Sequence, residues 1–360
     1  MSNKIYDYSG NVIIPETGLE GLEDLQPNRL LIWHDEFNGN GIDKQKWGSI
    51  VGTGTTNSNM VYAKDIRKVA SVHDGLSYRC IKDNPDADNN FEYSSAFLHT
   101  NDLFEFMYGR IEAKIKFPSL AKHHTTFWTL GANNHRKETG EFLPWDGDVG
   151  VKFPSCGEID IAEFNDNSVG ARMHWASDGF DGTAYASGGN VDSLTNTPND
   201  WHIYAAEWDA SKIEFFVDGV SKGSWNTSNA NVNGWNPFNH PHYIILNCIV
   251  SLDGSASWDV AETNVAWVRV YAPKNVIEYI TETGISIPAS ESIAIGERKW
   301  LGTPTFTPSN PSDMTINWLS HNEDIVTCYG GMLIGIGAGT TYVQAKSKHG
   351  CTALCKVTVS

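Results

Sequence analysis

The chain has 360 residues, of which 40% are hydrophobic, 11% aromatic and 19% charged, and its formal net charge is −17. It is too long for one small domain and too apolar for a disordered chain, so we expect two folded units. The negative charge argues against nucleic acid and anionic membranes as partners, because lysine and arginine bind phosphate groups. A neutral polymer is more compatible with this charge.

Apolar runs of about 18 residues, the length that a membrane-spanning helix needs, do not occur in the sequence. Residues 1–14 contain no apolar stretch of signal-peptide length. We therefore expect no membrane-spanning segment. We expect the protein to be extracellular or at the cell surface after removal of a signal peptide, or to leave its cell by another route, for instance as part of a phage particle.

Residues 1–27 form a polar lead segment that contains Gly and Pro. From residue 28 to residue 273, short β-rich runs alternate with clusters of Gly, Asn, Asp and Ser, and no helical period is sustained. Many short strands predict an all-β sandwich or barrel. The run 212–217 is strand-like and is followed by Asp218-Gly219, which predicts a hairpin.

A strand-like apolar run in this region contains three carboxylates, Glu158, Asp160 and Glu163. In a regular strand Glu158 and Asp160 share one face, whereas Glu163 points to the other. One inserted residue near Ile161, a β-bulge, would bring all three to one side. A carboxyl separation of about 5 Å is what a retaining glycosidase requires. The alternative is a solvent-facing strand edge that serves solubility, but crowding of like charge among apolar residues disfavours it.

The six cysteines show neither a CxxC pair nor the spacing of metal ligands, so we expect buried, structural thiols. His123 and His124 resemble a metal pair only superficially, because no third ligand follows at a recognisable spacing. We interpret these two residues as the rim of a loop, and we expect no metal site.

The segment 272–283 is the expected linker, and residues 284–360 contain a separate set of short strand-like runs. This last segment resembles the bacterial immunoglobulin-like domain of group 2 over nearly its whole length. The resemblance implies a small β-sandwich with Trp318 in its core. Modules of this kind usually act as spacers or anchors.

The motif Glu-Ile-Asp-Ile-Ala-Glu at residues 158–163 resembles the Glu-x-Asp-x-x-Glu signature of glycoside hydrolase family 16, in the bulged form of laminarinases. Other segments are similar to the family in the same order along the chain: 33–37, 43–47, 108–116, 127–131, 204–208, 216–219, 245–247 and 267–271. The similarity covers about residues 28–272. It implies a two-sheet β-jelly roll whose concave face forms a long cleft for a polysaccharide.

The resemblance also implies a role for each carboxylate. Glu158 matches the nucleophile and Glu163 the general acid/base. Asp160 lies between them, where it would hold the geometry of the nucleophile and help to keep Glu163 protonated. No cofactor is needed for this chemistry.

The candidates for substrate binding are Trp128, Trp145, His174, Trp175, Arg110 and Asn247. The three tryptophans fall in segments that flank the family's cleft, where indole rings stack on sugar rings, although each could instead pack in the core. The histidine matches one that laminarinase-like members place near the acid/base, but a lone histidine is more often structural. The arginine and the asparagine could bind substrate hydroxyls or equally serve the fold.

The sequence departs from the family in three places. Phe153-Pro154 replaces the Trp-Pro of laminarinases, which reduces the stacking surface. Ala266 stands where many members have an aspartate that helps to bind a structural calcium, which puts that ion in doubt. The segment 137–151 differs from the short loop of simple laminarinases and would reshape one end of the cleft.

From these observations we predict a monomeric, retaining, endo-acting hydrolase of β-1,3 or mixed β-1,3/1,4 glucans such as laminarin, lichenan and barley glucan. A first alternative is a galactan hydrolase of the agarase, porphyranase or carrageenase type. Sulfated galactans would require basic residues in the cleft, which the acidic balance disfavours. A second alternative is a non-catalytic β-glucan-binding protein, but relatives that only bind have typically lost the glutamates.

Overall fold

The computed structural model describes residues 5–6, 12–14, 25–26, 29–53, 60–62, 65–82, 92–134, 150–195, 197–250, 256–274, 276 and 278–360. The structural statements below concern these residues. Their regular structure is almost entirely β, as the sequence predicts. None of the helices among them is long and apolar enough to cross a membrane.

The strands of the N-terminal part follow one another along the chain. They are β1 (Ile5–Tyr6), β2 (Val12–Ile14), β3 (Leu31–Asp35), β4 (Gly48–Ser49), β5 (Gly52–Thr53), β6 (Met60–Tyr62), β7 (Ala70–Val72), β8 (Leu76–Ile81), β9 (Tyr93–Ser95), β10 (Phe97–His99), β11 (Gly109–Lys116), β12 (His123–Gly131), β13 (Glu158–Asn165), β14 (Ser168–Ala176), β15 (Tyr185–Val191), β16 (His202–Trp208), β17 (Lys212–Val217), β18 (Val220–Asn226), β19 (His242–Val250) and β20 (Val260–Tyr271). Short 3-10 helices span Ile66–Lys68, Thr227–Ala230 and Pro237–Asn239.

Two large sheets contain nearly all of these strands. The seven-stranded sheet has the spatial order β15-β14-β13-β12-β19-β10-β4. The eleven-stranded sheet has the order β18-β17-β16-β11-β20-β8-β9-β6-β5, with β3 also paired to β20 and β7 to β8. The predicted hairpin is present as β17 and β18, which pair antiparallel around Asp218-Gly219.

The core lies between the two sheets. Burial alternates along β8 and β17, so that every second side chain points inward, as expected of strands with one solvated face. From the seven-stranded sheet, Phe127, Ile159 and Phe164 face this core. Tyr78 crosses between the sheets, with its hydroxyl 2.9 Å from that of Thr125. A buried hydroxyl needs such a partner, so this contact fixes the sheets relative to each other.

The C-terminal strands are β21 (Gly284–Ser286), β22 (Ser290–Ile293), β23 (Arg298–Trp300), β24 (Thr305–Thr307), β25 (Ile316–Ser320), β26 (Val326–Tyr329), β27 (Met332–Gly335), β28 (Gly339–Ser347) and β29 (Thr352–Val359). They form sheets of their own, β22-β29-β28-β25, β23-β27-β26 and β21-β24. Their buried residues include Val326, Leu333, Val343 and Val357, and Trp318 packs half-buried against them. This separation supports our proposal that the chain divides into units at 28–273 and 284–360.

All six cysteines are free, and all of them except Cys351 are buried. Burial raises the pKa of Cys80 and Cys328, and it raises the pKa of Cys248 to about 11. Both units are therefore held together by packing and hydrogen bonds, without disulfide cross-links.

Gly109, at the start of β11, provides a test of how tightly the strands pack. Gly109 has φ +109°, and a Cβ atom there would lie 2.2 Å from the Tyr271 carbonyl oxygen. We expect Gly109→Ala to lower the free energy of unfolding by about 2–4 kcal/mol, because it adds overpacking to backbone strain. Gly219→Ala is the matched control, since its φ is +76° but nothing lies within 4 Å of its Cβ position. Urea denaturation measures both, and equal losses in the two variants would contradict the packing argument.

Candidate active site

The middle of β13 contains the bulge that the carboxylate spacing predicts. On the β12 side, Asp160 and Ala162 pair with consecutive residues, so that Ile161 is the extra one. On the β14 side, three steps along β13 from Asp160 to Glu163 match two steps along β14. The residues after the bulge therefore change face relative to a regular strand.

The bulge places the three carboxylates on the face of the seven-stranded sheet that points away from the other sheet. Ile159 and Phe164 point the opposite way, into the core. The side chains of Glu158, Asp160 and Glu163 are 11%, 6% and 17% exposed. Glu158 and Glu163 thus keep some contact with solvent, as groups that act on an external ligand need to, whereas Asp160 is almost fully buried.

His174 lies opposite Glu158 in β14 and joins the cluster. Its Nε2 is 2.9 Å from Asp160 Oδ2 and 3.6 Å from Glu158 Oε1. Its Nδ1 is 2.5 Å from the hydroxyl of Tyr185 at the start of β15. A neutral imidazole satisfies both contacts when Nε2–H donates to Asp160 and Nδ1 accepts from Tyr185. This assignment fixes the tautomer of the ring.

The electrostatic environments of Asp160 and Glu163 differ. Burial raises the pKa of Asp160, the hydrogen bond from His174 opposes this, and the charge of Glu163 adds to it. Burial would also raise the pKa of Glu163, but the hydrogen bond to His124 and the charges of His124 and Arg172 outweigh it and lower the pKa. In the free protein these basic groups therefore outweigh both burial and the effect that the sequence analysis expects of Asp160, which is to favour the protonated form of Glu163.

The groups around Glu163 are close. His124 Nε2 lies 2.9 Å from Glu163 Oε1, and Arg172 Nε lies 3.1 Å from Oε2 as an ion pair. His124 lies in β12 and Arg172 in β14, so the two flanking strands each supply one basic group. The carboxyl of Glu163 is thus held from both sides.

Two of the predicted binding residues lie on the carboxylate face. Trp128 pairs with Asp160 across β12 and β13. Its indole N–H donates to Asn247 Oδ1 at 2.8 Å, which joins β12 to β19. Trp128, Asn247 and His174 are therefore the predicted substrate-binding residues that the fold brings next to the three carboxylates.

Two other predicted binding residues, Trp175 and Arg110, do not lie next to the three carboxylates. Trp175 follows the histidine in β14 and therefore faces the core, where its ring centroid is 4.9 Å from that of Trp225. Arg110 is buried in β11 of the eleven-stranded sheet, and its Nε donates to Glu112 at 2.7 Å. Trp145 lies outside the described residues. The contacts of Trp175 and Arg110 serve the fold, and our binding proposal does not include them.

His123 and His124 belong to strand β12, which corrects their interpretation as a loop rim. They are adjacent and so point to opposite faces. His123 is buried between the sheets, and burial lowers its pKa to about 3. His124 shares the face of Trp128, four residues further along, and this alternation is the signal that could have placed it beside the carboxylates.

Arg172 and Tyr185 were also not predicted. Arg172 is two residues before His174 in the same strand, so alternation places both on one face. Tyr185 carries no comparable local signal, because the turn between β14 and β15 brings it to His174.

Among the described residues, one group offers the geometry of a metal site. Ligand atoms of Glu158, Asp160 and His174 lie within 4.8 Å of one another. Both nitrogens of His174 already have protein partners, so we interpret the group as a hydrogen-bonded carboxylate cluster.

The position that the resemblance associates with structural calcium lies elsewhere. Ala266 and Glu36 line a surface cavity there, together with 37–40 and 72–75. The Glu36 carboxylate is bound by Arg269 at 2.8 and 2.9 Å, and Ala266 offers no side-chain oxygen. Neither Glu36 nor Ala266 therefore offers a free side-chain oxygen to a calcium ion, which needs several such ligands.

The bulged strand, the carboxylate triad and the two-sheet architecture agree with the comparison with known families. The sequence model described as "Glycosyl hydrolases family 16" matches residues 57–269, more than half of the chain. The chain belongs to glycosyl hydrolase family 16. Its jelly-roll fold is that of this family.

Individual members of the family are similar over most of the first unit. "Glucan endo-1,3-beta-glucosidase A1" of Niallia circulans is 28% identical over an alignment of 305 positions, which covers 74% of this chain and 42% of that protein. The chain therefore spans less than half of the length of this relative. The LamAcat structure of Zobellia galactanivorans is 30% identical with a TM-score of 0.56, and the match covers 68% of this chain and 98% of that one. The catalytic domain of an endo-1,3-beta-glucanase (laminarinase) from Thermotoga petrophila is 26% identical with a TM-score of 0.55, covering 69% and 99%.

The charge state of Glu163 gives a test that does not depend on activity. We expect His124→Gln to raise the pKa of Glu163, because the amide keeps a hydrogen-bond donor but removes the basic group that opposes the effect of burial. Carboxyl ¹³C NMR titration of Glu-labelled protein measures this pKa. His202→Gln, in the other sheet where His202 pairs with Asp218, is the control and should leave it unchanged. An unchanged or lower pKa in His124→Gln would refute the assignment.

Proposed function

We propose that this protein is an endo-acting hydrolase of β-1,3 or mixed β-1,3/1,4 glucans that retains the anomeric configuration. The observation that carries the proposal is the bulge in β13, which puts Glu158, Asp160 and Glu163 on one open face. Membership of family 16 and the endo-1,3-glucanase names of similar proteins support the choice of substrate.

In the proposed mechanism Glu158 attacks the anomeric carbon while Glu163 donates a proton to the leaving oxygen. The resulting glycosyl-enzyme is then hydrolysed by a water that Glu163 deprotonates. Asp160 and His174 support Glu158, since His174 Nε2 bonds Asp160 at 2.9 Å and lies 3.6 Å from Glu158 Oε1. This support keeps the nucleophile oriented without a metal or a cofactor.

Proton donation needs Glu163 to be protonated, yet His124 and Arg172 lower its pKa in the free protein. A sugar bound over the face would displace water from the carboxyl and so favour its neutral form. We therefore propose that substrate binding raises the pKa of Glu163, so that this carboxyl is protonated when the leaving group arrives.

Binding of the polymer is proposed to use the aromatic and amide groups of the same face. Trp128 lies across from Asp160 in the neighbouring strand, and its hydrogen bond to Asn247 positions its indole ring. Tyr185 is 58% exposed and stands next to His174, which offers a further surface for stacking. We further propose a monomer that acts outside the cell or on its surface, since a polymeric substrate does not cross membranes.

The substrate class is tested by release of reducing ends from laminarin, barley glucan, lichenan, xyloglucan and agarose. We expect activity on the first three and none on agarose. Hydrolysis of agarose alone would replace the proposal by the galactanase alternative. Binding of laminarin without any hydrolysis would favour the non-catalytic alternative.

The roles of the two glutamates predict the effect of isosteric substitutions. We expect Glu158→Gln and Glu163→Gln each to lower kcat on laminarin by about three orders of magnitude or more, because each removes a group that acts in the transition state. Asp160→Asn should have a smaller effect. Glu214→Gln, on β17 of the other sheet, is the matched control and should keep wild-type turnover. Near wild-type hydrolysis by a folded Glu158→Gln variant would disprove its role.

The stereochemistry follows from the distance between the carboxyl groups. If they stand about 5 Å apart, no water fits between the carboxylate and the anomeric carbon, so the carboxylate itself attacks. Two inversions give net retention, and proton NMR should show the β-anomer of the new reducing end before any α-anomer appears. If the α-anomer forms first, the protein is an inverting enzyme and Glu158 is not the nucleophile.

A further inference from the structure

The C-terminal unit touches the first unit beside the active site through Arg298. Its guanidinium, in β23, binds both carboxylate oxygens of Asp181 at 3.2 and 3.3 Å. It also donates to the carbonyl of Gly150 at 2.6 Å. The two side chains are only 24% and 19% exposed, so water screens this contact less than an ordinary surface ion pair.

Asp181 carries the contact onward to the strand of the nucleophile. Its Oδ1 accepts the N–H of Lys152 at 3.0 Å. The carbonyl of Lys152 in turn accepts the N–H of Cys156 at 3.0 Å, two residues before Glu158. Arg298 is thus linked by successive hydrogen bonds to the turn that leads into β13.

Besides this ion pair, an aromatic contact also joins the two units. Trp300 is two residues after Arg298 in β23, and its ring stacks on Phe180 at 5.5 Å between centroids. It also meets the edge of Trp235 at 5.0 Å. The indole N–H of Trp235 donates to the carbonyl of Ser155 at 2.8 Å. The C-terminal unit therefore holds the turn before β13 through Trp300 and Trp235 as well as through Arg298.

The residues so held form two loops at one end of the carboxylate face, 150–157 before β13 and 177–184 after β14. Ser155 joins them directly, because its hydroxyl donates to the Gly179 carbonyl at 3.1 Å. The first loop carries Phe153, whose ring is 6.3 Å from that of Tyr185, the partner of His174. The shape of this end of the face depends on both loops.

We propose that Arg298 is a positioning residue for substrate binding, and that the C-terminal unit holds these two loops in the form that accepts the glucan chain. This inference rests on the proposed function, and it assigns to the unit a role beyond the spacer or anchor expected from its resemblance. Arg298 acts through Asp181, Gly150 and the loops, and it does not touch Glu158, Asp160 or Glu163.

The position of Glu158 and Glu163 is set by the register of β13 with its neighbours, and not by the loops. Loosening the loops should therefore weaken ground-state and transition-state binding alike. Such a loss raises KM and leaves kcat nearly unchanged. A general loss of structure would instead lower the active fraction and so lower kcat.

The experiment compares full-length variants on soluble laminarin. We expect Arg298→Ala to raise KM about three- to tenfold with kcat within about twofold of wild type, and Arg298→Lys to restore part of the loss. Lys299→Ala is the matched control, because the neighbouring Lys299 pairs with Glu291 inside the C-terminal unit. It should leave KM unchanged.

Asp181→Asn tests the same contact from the other side. It keeps an acceptor for the Lys152 N–H but removes the charge that Arg298 binds. We expect Asp181→Asn to raise KM by no more than Arg298→Ala does, because it keeps the bond from Arg298 to the Gly150 carbonyl. The double variant should be no worse than Arg298→Ala, because both changes remove the same ion pair. Additive effects would overturn the proposal, as would an unchanged KM in Arg298→Ala or an equal rise in Lys299→Ala.

Hydrogen exchange measured by mass spectrometry separates this proposal from the proposed function. Arg298→Ala should speed amide exchange in 150–157 and 177–184, whereas Lys299→Ala should not. If the wild type hydrolyses no glucan, the proposed function fails while the exchange result still decides whether the loops are held. If Arg298→Ala and Lys299→Ala show the same amide exchange in these loops, the proposed role of Arg298 is refuted, whatever the activity. Should Arg298→Ala fail to fold, Arg298→Lys and Asp181→Asn carry the same comparison.

Discussion

The one extra residue in β13 determines on which side of the sheet the negative charge lies. Without Ile161 in the bulge, Glu163 would point between the sheets, among side chains such as Phe127 and Ile159. An ionised carboxylate in such a core costs several kcal/mol, so that register would oppose folding. The irregularity therefore satisfies two demands at once. It keeps the core apolar, and it collects the carboxylates on a face that a ligand can reach.

Collecting three acids has an electrostatic cost that the neighbouring strands offset. His174 approaches Asp160 from β14, while His124 and Arg172 approach Glu163 from β12 and β14. The two environments move the pKa values in opposite directions, upward for Asp160 and downward for Glu163. In the free site these shifts favour the ionised form of Glu163. Separate pKa values for neighbouring acids are what acid and base roles require, and under the proposed mechanism the bound substrate has to raise the pKa of Glu163.

Spacing and alternation could predict much of this arrangement. The gap between Asp160 and Glu163 indicates a bulge, and the two-residue period places His124 with Trp128 and sets Trp175 apart from its neighbour. His124 was missed because its segment was interpreted as a loop, and the two-residue alternation of side chains applies only to a strand. Contacts such as Arg298 with Asp181 join residues more than a hundred positions apart. Local pattern contains nothing about them, because they depend on how two separately patterned units meet.

The free thiols have a consequence for chemical labelling. Five of the six are buried, and for Cys80, Cys248, Cys328 and Cys355 burial raises the pKa and so disfavours the reactive thiolate. Cys351 alone is partly exposed, just before β29 in the C-terminal unit. An alkylating dye added to the native protein would therefore attach at one position without any engineered cysteine. The wild-type chain thus carries its own site for a fluorophore on the unit that contacts the loops.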